Sequence, residues 1–391
     1  MNRICTFLVA IVFAATTYAE DAKVCWTGTW AAAAEFTGPG DMPKESLSNR
    51  SLREIVRVSI GGSQLRLQLS NEFGSSEVDI NAIYIADSKD GWEIDAKTAR
   101  YLTFGGKKNI TIEKGQAVFS DVLKYNLKPL QRLTITINYG KRTPENATSH
   151  RGSRTTSYII KGASKPKSSF EDSERLDHWY NIAAIDVMAP ESTPSVAIIG
   201  NSITDGRGST TNLQNRWPDF LATALGGQTA VLNLGIGGNC VLEGGLSQPA
   251  LVRFDRDILG QRGVKALIIF EGVNDIGGSA GQAERKTQRL IEAYKTLIKK
   301  ARDNGMKVYM GTITPFKGNG YFKPFQEAAR QVVNEWIRTT DLIDGVIDFD
   351  QLARDPSDTL QLRKEYSDDW LHLSPAGYEA MGKCAAEVLS K

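Results

Sequence analysis

The spacing of apolar residues changes once along the chain, near residue 190, and this change constrains the fold more than any other feature. From about residue 50 to 160, short runs of alternating apolar and polar residues are separated by turn residues, without a helical pattern between them. Alternation of this kind is typical of half-buried strands, which predicts an antiparallel β-sandwich of the jelly-roll type. Beyond residue 190, strand-like runs alternate with helical patterns, which predicts a parallel sheet with helices on both faces. We therefore expect two domains, 20–190 and 191–391.

Individual elements follow from the same patterns. The strands expected in the first domain are 54–60, 64–70, 78–85, 117–119 and 132–139. The Gly61-Gly62 pair suggests a hairpin between the first two, and the polar stretches 140–155 and 161–169 are expected to be loops. The strands expected in the second domain are 196–199, 231–233, 266–270, 308–312 and 346–349, with helices at 283–304, 325–339 and 375–389. Ser374 and Pro375 are a strong start signal for the last of these helices.

The N-terminal segment 1–19 has the pattern of a secretory signal peptide. Arg3 supplies the positive end, 4–15 is an apolar run, and small residues precede a cleavage site expected near Ala19. We therefore expect an exported protein, periplasmic or extracellular, with a core helix as the alternative reading of this segment. The apolar run is shorter than the roughly 20 residues needed to span a bilayer, so no integral membrane association is expected.

Charge and cysteine content limit the binding partners and the disulfides that can be expected. The formal net charge is +2, with 24% charged residues, which gives no electrostatic reason to expect nucleic acid as a partner. Cleavage of the signal would leave Cys25, Cys240 and Cys384, an odd number that permits at most one disulfide within the chain. No feature of the sequence specifies an oligomeric state.

Ser202 is the leading candidate for a nucleophile. It lies in a glycine-bounded turn, 200–206, directly after an expected strand, and an Asp369-x-x-His372 pair lies near the C-terminus. A serine hydroxyl becomes nucleophilic when an imidazole takes its proton and a carboxylate fixes the imidazole, so these residue types must converge. The chain has 3 histidines, and His372 alone follows a carboxylate at short spacing within the second domain. The alternatives are that Ser202 caps a helix and that Asp368 is the relevant carboxylate.

Two further segments at expected strand ends offer hydrogen-bond donors for an oxyanion. Gly238 lies in the glycine-rich stretch 233–239, where a backbone N–H can approach a substrate closely. Asn274 lies in 271–275 and places an amide side chain at the same sheet edge. A simple tight turn and a turn-capping amide are the respective alternatives.

Taken together, these four segments resemble the SGNH (GDSL-type) hydrolase family over about 195–391. The resemblance implies a flavodoxin-like three-layer α/β/α fold, with Ser202 as nucleophile and Asp369 and His372 as the acid-base pair. It also implies an oxyanion hole made by Gly238, Asn274 and the backbone N–H of Ser202. The first domain resembles, more loosely, the β-sandwich module that precedes the catalytic domain in some exported members. Asn201 departs from the family pattern, which usually has aspartate before the serine.

The function expected from this resemblance is an exported serine esterase that removes short acyl groups, most simply O-acetyl groups, from carbohydrates. A lipase or a broad arylesterase is the alternative, and a glycan-binding protein on a hydrolase scaffold is an alternative of another class. Trp217 and Trp370 are candidates for stacking on a sugar ring, with core packing as the competing role. The reaction requires no cofactor, and the scattered histidines do not suggest a metal site.

Overall fold

The computed structural model describes residues 23–391, so the expected signal peptide at 1–19 lies outside the described residues. The first part of the described chain is antiparallel. Its strands are β1 (Val24–Ala31), β2 (Glu35–Phe36), β3 (Arg50–Arg57), β4 (Gly62–Ser70), β5 (Val78–Asp87), β6 (Arg100–Tyr101), β7 (Ile110–Ile112), β8 (Ala117–Phe119), β9 (Leu123–Leu127), β10 (Arg132–Tyr139), β11 (Thr148–His150), β12 (Ser157–Lys161), β13 (Glu174–Leu176), β14 (Trp179–Tyr180) and β15 (Ile182–Pro190).

These strands form two large sheets and one small one. The first has the order β1-β15-β4-β8 with β9 also paired to β4, the second β13-β12-β3-β10-β5-β6 with β7 paired to β5, and the third β14-β11-β2. Leu65 and Leu67 of the first sheet share one apolar core with Val56 and Ile135 of the second. The expected antiparallel β-sandwich is therefore confirmed, because inward-facing residues of two sheets fill a common interior.

The hairpin expected at Gly61-Gly62 is wrong. Strand β3 pairs with β10 and β12, whereas β4 pairs with β15, β8 and β9, so the turn carries the chain from one sheet to the other. A Cβ atom at Gly61 would collide with the carbonyl of Leu127, which explains why glycine is needed there. The stretch 140–155 is mostly loop as expected, but it contains β11.

The second part of the chain alternates strands and helices. Its strands are β16 (Ser195–Gly200), β17 (Ala230–Gly235), β18 (Ala266–Phe270), β19 (Lys307–Gly311) and β20 (Gly345–Ile347). Its helices are α1 (Ser202–Asp205), α2 (Trp217–Ala224), α3 (Ala250–Phe254) followed by a π-helical turn (Asp255–Leu259), α4 (Val273–Gly277), α5 (Ala283–Asp303), α6 (Pro324–Thr339), α7 (Phe349–Ala353) and α8 (Pro375–Leu389). Two 3-10 turns lie at Pro39–Asp41 and Lys364–Tyr366.

The five strands of this part are parallel, in the order β17-β16-β18-β19-β20. Numbered along the chain this order is 2-1-3-4-5, the flavodoxin-like arrangement, in which ligands bind beyond the carboxyl ends of the strands. Ile199 and neighbouring residues of one face pack with α5 and α6, and Ile198 and residues of the other face pack with α2 and α8. The expected three-layer α/β/α fold is confirmed, and Ser374 caps α8 by accepting from Gly377 N.

The β-sandwich packs against the edge of the parallel sheet at β17. Gly28 N of β1 donates to Arg262 O at 2.9 Å. Val231 N of β17 donates to Ser59 Oγ at 3.0 Å. These contacts fix the sandwich beside β17, the edge strand that pairs with β16. None of the helices within 23–391 has the length and apolar character required to cross a bilayer.

Candidate active site

Ser202 begins a one-turn helix at the carboxyl end of β16. The Asn201 side chain caps this turn by accepting from Ile203 N at 3.0 Å. Gly206, with φ of 101°, ends it in the left-handed conformation that glycine adopts without strain. The serine hydroxyl is thus held at the sheet edge by a capped turn. The helix-cap role that competed for Ser202 belongs instead to the residue before it.

The three residues expected to converge are within hydrogen-bond reach of one another. Ser202 Oγ lies 2.9 Å from His372 Nε2, and His372 Nδ1 lies 2.6 Å from Asp369 Oδ2. The other carboxylate oxygen of Asp369 accepts the backbone N–H groups of Leu371 and His372, at 3.0 and 2.8 Å. Asp368, the competing carboxylate, is exposed and forms no hydrogen bond to His372 within the described range. This geometry lets Nε2 accept the serine proton while Asp369 holds the Nδ1–H tautomer.

The surroundings of His372 favour its neutral form. Burial lowers the pKa of His372, the Asp369 carboxylate raises it, and the nearby guanidinium groups of Arg207 and Arg154 lower it, with a net shift below the usual value. Burial alone would raise the pKa of Asp369, but the hydrogen bonds from His372 outweigh it and lower that pKa. A neutral imidazole beside an ionised carboxylate is the state that a general base requires.

Two donors expected for an oxyanion line the same hollow as Ser202. Gly238 and Asn274 both face this hollow, which has a volume of about 380 Å³. The Asn274 amide is held in one orientation because Nδ2 donates to Asn239 O at 2.7 Å while Oδ1 accepts from Tyr321 Oη at 3.0 Å. An amide nitrogen carries two hydrogens, so one remains for a ligand. The structure therefore brings both donors to the serine.

Asn201, the departure from the family pattern, lies against a buried carboxyl group. Its Nδ2 donates to Glu271 Oε2 at 3.1 Å. Burial raises the pKa of Glu271 to about 8, although Arg253 opposes the shift. An aspartate at position 201 would place two carboxyl groups in hydrogen-bond contact in a site that disfavours charge. The neutral amide and the buried Glu271 thus fit one another, and the amide still caps the turn that carries Ser202.

The β-sandwich supplies one wall of the hollow, which the sequence did not predict. Glu35, Arg151, Gly152 and Arg154 line it together with Ser202. Glu35 accepts from Arg151 Nη2 at 2.5 Å and from Ser247 Oγ of the second domain at 2.6 Å. These residues come from strand β2 and from the loop after β11, and they share no local motif, so no signal in the sequence marks them.

His150, expected in a surface loop, is buried beneath this wall. Its Nε2 lies 2.9 Å from Asp205 Oδ1, and its Nδ1 lies 3.0 Å from Ala33 O. Burial lowers the pKa of His150, but the carboxylates of Asp205 and Glu35 raise it to above its ordinary value. Asp205 is the last residue of the α1 turn, so His150 ties the sandwich to the turn that begins with Ser202.

The expected sugar-stacking role of Trp217 is wrong. Trp217 has no exposed surface and packs edge-on against Phe270 and Phe349 between the sheet and α2. Trp370 is half-buried and lies against Gly318, and it does not line the hollow that contains Ser202. Tyr321 is the aromatic residue that lines this hollow.

The thiols and acidic groups elsewhere form no further site in the described range. Cys25, Cys240 and Cys384 are free thiols, and burial raises the pKa of Cys240 to about 12. Within residues 23–391, no group of three His, Cys, Asp or Glu side chains is arranged to hold a metal ion.

Known proteins resemble the second part of the chain. Residues 198–380 match the model of the GDSL-like Lipase/Acylhydrolase family. The Bacillus subtilis (strain 168) protein named "Uncharacterized lipoprotein YqeF" is 29% identical over 184 residues, which cover 44% of this chain and 67% of the relative.

Two solved structures are similar to about half of this chain. A carbohydrate acetylesterase family member from Sinorhizobium meliloti is 18% identical with a TM-score of 0.40, covering 50% of this chain and 96% of its own. A GDSL-like lipase from Bacteroides thetaiotaomicron VPI-5482 is 19% identical with a TM-score of 0.39, covering 50% of this chain and 88% of its own.

The first prediction concerns pH. His372 must be neutral to accept a proton, and its pKa is lowered, so kcat/KM for a neutral ester should rise with pH with a midpoint below about 6.5. Asp369→Asn removes the group that raises this pKa, so any residual activity should show a lower midpoint. Asp368→Asn is the matched control and should leave the midpoint unchanged. A midpoint above 6.5 in the unmodified protein would contradict the assigned environment.

The second prediction tests the Asn201–Glu271 pair. Asn201→Asp should lower the free energy of unfolding by about 1–3 kcal/mol at pH 8. The substitution removes the amide that donates to Glu271 and places a second carboxyl group, with the same sign of charge, beside it. The loss should be smaller at pH 6. In the folded variant the two carboxyl groups share a proton whose pKa is raised. In the unfolded chain both groups lose their protons at their ordinary, lower pKa, so the free energy of unfolding falls as pH rises. Urea unfolding at the two pH values measures the effect.

The control for this variant is a second substitution at the partner. Glu271→Gln in the Asn201→Asp background restores one donor and removes one charge, so it should recover at least half of the lost stability. A double variant that is no more stable than Asn201→Asp would show that the two side chains are not energetically coupled.

Proposed function

We propose that this chain, which belongs through residues 198–380 to the GDSL-like lipase/acylhydrolase family, is a serine esterase that uses Ser202 as its nucleophile. Family membership implies ester hydrolysis, and the roles of individual residues are our proposal. The observation that carries it is the continuous chain from Ser202 through His372 to Asp369, with distances of 2.9 and 2.6 Å, at the rim of an open hollow.

In the proposed mechanism, Ser202 Oγ attacks the acyl carbon while His372 Nε2 takes the hydroxyl proton. The backbone N–H groups of Ser202 and Gly238 and the free hydrogen of Asn274 Nδ2 stabilise the negative charge on the carbonyl oxygen. His372 then donates its proton to the leaving alcohol oxygen as the C–O bond breaks, which leaves an acyl-enzyme. Water, deprotonated by His372, releases the acyl group and restores the serine.

The favoured substrates are short acyl esters, most simply acetates, of carbohydrates. The wall that the β-sandwich contributes to the hollow of about 380 Å³ carries the charged side chains of Glu35, Arg151 and Arg154. A polar wall of this kind favours a hydroxylated alcohol over a long acyl chain, which needs an apolar surface.

The alternative substrates are aryl or longer-chain esters, as expected for an arylesterase or lipase. Leu246, Tyr321 and Leu371 form an apolar strip on the same hollow, and Leu246 is half exposed beside Gly238. A glycan-binding protein without turnover is the least favoured candidate, because the residues of the nucleophile, base and donors lie together.

The third prediction tests the mechanism and the acyl preference in one panel of 4-nitrophenyl esters from acetate to octanoate. Ser202→Ala and His372→Ala should each lower kcat by about 10⁴-fold or more, because triad members act as a unit. The unmodified protein should be most active on acetate. Ser192→Ala and His178→Ala, outside the hollow, are matched controls that should retain activity.

Two outcomes would contradict the proposal in different ways. Near-normal hydrolysis by both Ser202→Ala and His372→Ala would reject the mechanism. A kcat/KM that increases toward octanoate would reject the short-chain assignment and favour the lipase alternative.

We also propose that the protein is exported. The support is the signal-like pattern at 1–19 and the name of the Bacillus subtilis relative, which describes that protein as a lipoprotein. The fourth prediction is that the mature protein begins near Glu20, and N-terminal sequencing of protein from the periplasm or medium measures this. An intact N-terminus on active protein retained in the cytoplasm would contradict it.

A further inference from the structure

Two arginine side chains, those of Arg154 and Arg207, lie where the hollow at Ser202 meets a second hollow beside His372. Gly238 and Asn274 line the first hollow only. The second is lined by Gly208, Asp368, Asp369, His372, Leu373 and Ser374. Arg154 of the β-sandwich and Arg207 of the α/β part line both. The two guanidinium groups therefore flank the candidate base from different domains.

The backbone of Arg207 is fixed while its side chain is unpaired. Its N–H donates to Ser202 O at 2.9 Å, and its carbonyl accepts from Tyr378 Oη of α8. Gly206 and Gly208 on either side have φ of 101° and 94°, so the residue projects from a tight turn. Among residues 23–391, no acceptor within hydrogen-bond or ion-pair distance of its exposed guanidinium is present. A cation placed this way is available to a ligand.

Arg154 is held in a strained conformation at the opposite wall. Its φ is 48°, in the left-handed region that non-glycine residues seldom occupy, and such strain clusters at binding and catalytic sites. Its ion-pair contact within the described residues is Asp205 Oδ2 at 3.5 Å, and Asp205 already pairs with His150 at 2.9 Å. Its Nε is buried without a hydrogen-bond partner in the described range. Arg154 thus retains donors that the protein does not satisfy.

The carboxylates that line the two hollows leave both guanidinium groups with donors to spare. Glu35 is taken by Arg151, which it contacts at 2.5 Å. Asp369 accepts from the neutral imidazole of His372 at 2.6 Å. Asp368 lines the second hollow but forms no ion pair with Arg154 or Arg207 in the described part of the chain. Both arginines are therefore available to an anionic ligand at the junction between the hollows.

The position of the arginines identifies which half of an ester they meet. In the proposed mechanism the carbonyl oxygen faces Gly238 and Asn274, whereas the leaving oxygen faces His372 Nε2, from which it receives a proton. The alcohol half then extends toward the His372 side, where Arg154 and Arg207 lie. Guanidinium groups bind carboxylates through paired, charge-assisted hydrogen bonds.

We propose that Arg154 and Arg207 form a carboxylate-binding subsite for the alcohol half of the ester, so that the preferred substrates are short acyl esters of acidic sugars such as hexuronates. This inference rests on the proposed function, since it assumes that Ser202 is the nucleophile. It makes the β-sandwich a specificity-determining part of the site, because Arg154 belongs to that domain.

The fifth prediction compares two matched substrates, an O-acetylated methyl hexuronoside and the same O-acetylated methyl hexoside, whose C6 is a neutral hydroxymethyl group. Acetate release by the full chain should show a higher kcat/KM for the hexuronoside, by about 10- to 100-fold. Arg207→Gln and Arg154→Gln should each reduce this hexuronoside-to-hexoside ratio by about tenfold. Arg285→Gln, an exposed arginine of α5, is the matched control and should leave the ratio unchanged. Added salt should also reduce the ratio, because it screens exposed charges.

The outcomes separate this inference from the proposed function. Equal kcat/KM for the two sugars, with acetate release that depends on Ser202, would overturn the carboxylate subsite and leave the esterase assignment standing. A preference for the hexuronoside that survives both arginine substitutions would also overturn it. Acetate release that is unaffected by Ser202→Ala would reject the proposed function itself.

Discussion

The contact between His150 and Asp205 is the interaction on which the geometry of the site most depends. Both ring nitrogens of His150 face oxygen acceptors, the carboxylate of Asp205 and the carbonyl of Ala33, so the ring must carry a proton on each nitrogen to satisfy them. The result is a buried ion pair at 2.9 Å between the β-sandwich and the turn that begins with Ser202. Gly152 completes this contact, because any Cβ at that position would collide with the Asp205 carboxylate. The turn that carries Ser202 is therefore positioned by both parts of the chain.

Features that depend on residues close together in the sequence could be predicted, whereas features that depend on contacts between distant parts of the chain could not. Strand and helix periodicities are local, and so is the Asp369-x-x-His372 spacing, so the three-layer fold and the geometry of the acid-base pair could be predicted. The wall at Arg151 and Arg154 depends on how two domains pack, which no short pattern encodes. Trp217 was misassigned for a related reason: an indole in a helix is compatible with stacking on a ligand or on Phe270, and burial decides between them. The turn at Gly61-Gly62 was misassigned because glycine marks a turn without specifying which sheet the chain enters next.

The substitution of Asn201 for the family aspartate is explained by a side chain 70 residues away. Glu271 is fully buried and burial raises its pKa to about 8, even with Arg253 at 3.9 Å, so a second carboxylate beside it would be unfavourable. An amide meets this requirement because it donates to Glu271 through Nδ2 and accepts from the helix turn through Oδ1. The capping function is thus retained, and the single buried carboxyl group lies at a different strand end. Comparison with the family motif at Asn201 alone would show only a mismatch, without its contact to Glu271.

The β-sandwich and the α/β part depend on each other structurally around Ser202. Asp205 is 2% exposed, and removal of the β-sandwich would leave its carboxylate without His150 while uncovering the edge of β17. A carboxylate that loses its paired cation destabilises the local structure, and the α1 turn that ends at Asp205 also begins with Ser202, so the position of Ser202 would be affected. The α/β part places Ser202, His372, Gly238 and Asn274, and the β part both supports that arrangement and contributes arginines to the same hollow. Changes in the loops of the sandwich can then alter the wall of the hollow without altering the strand ends of the α/β part.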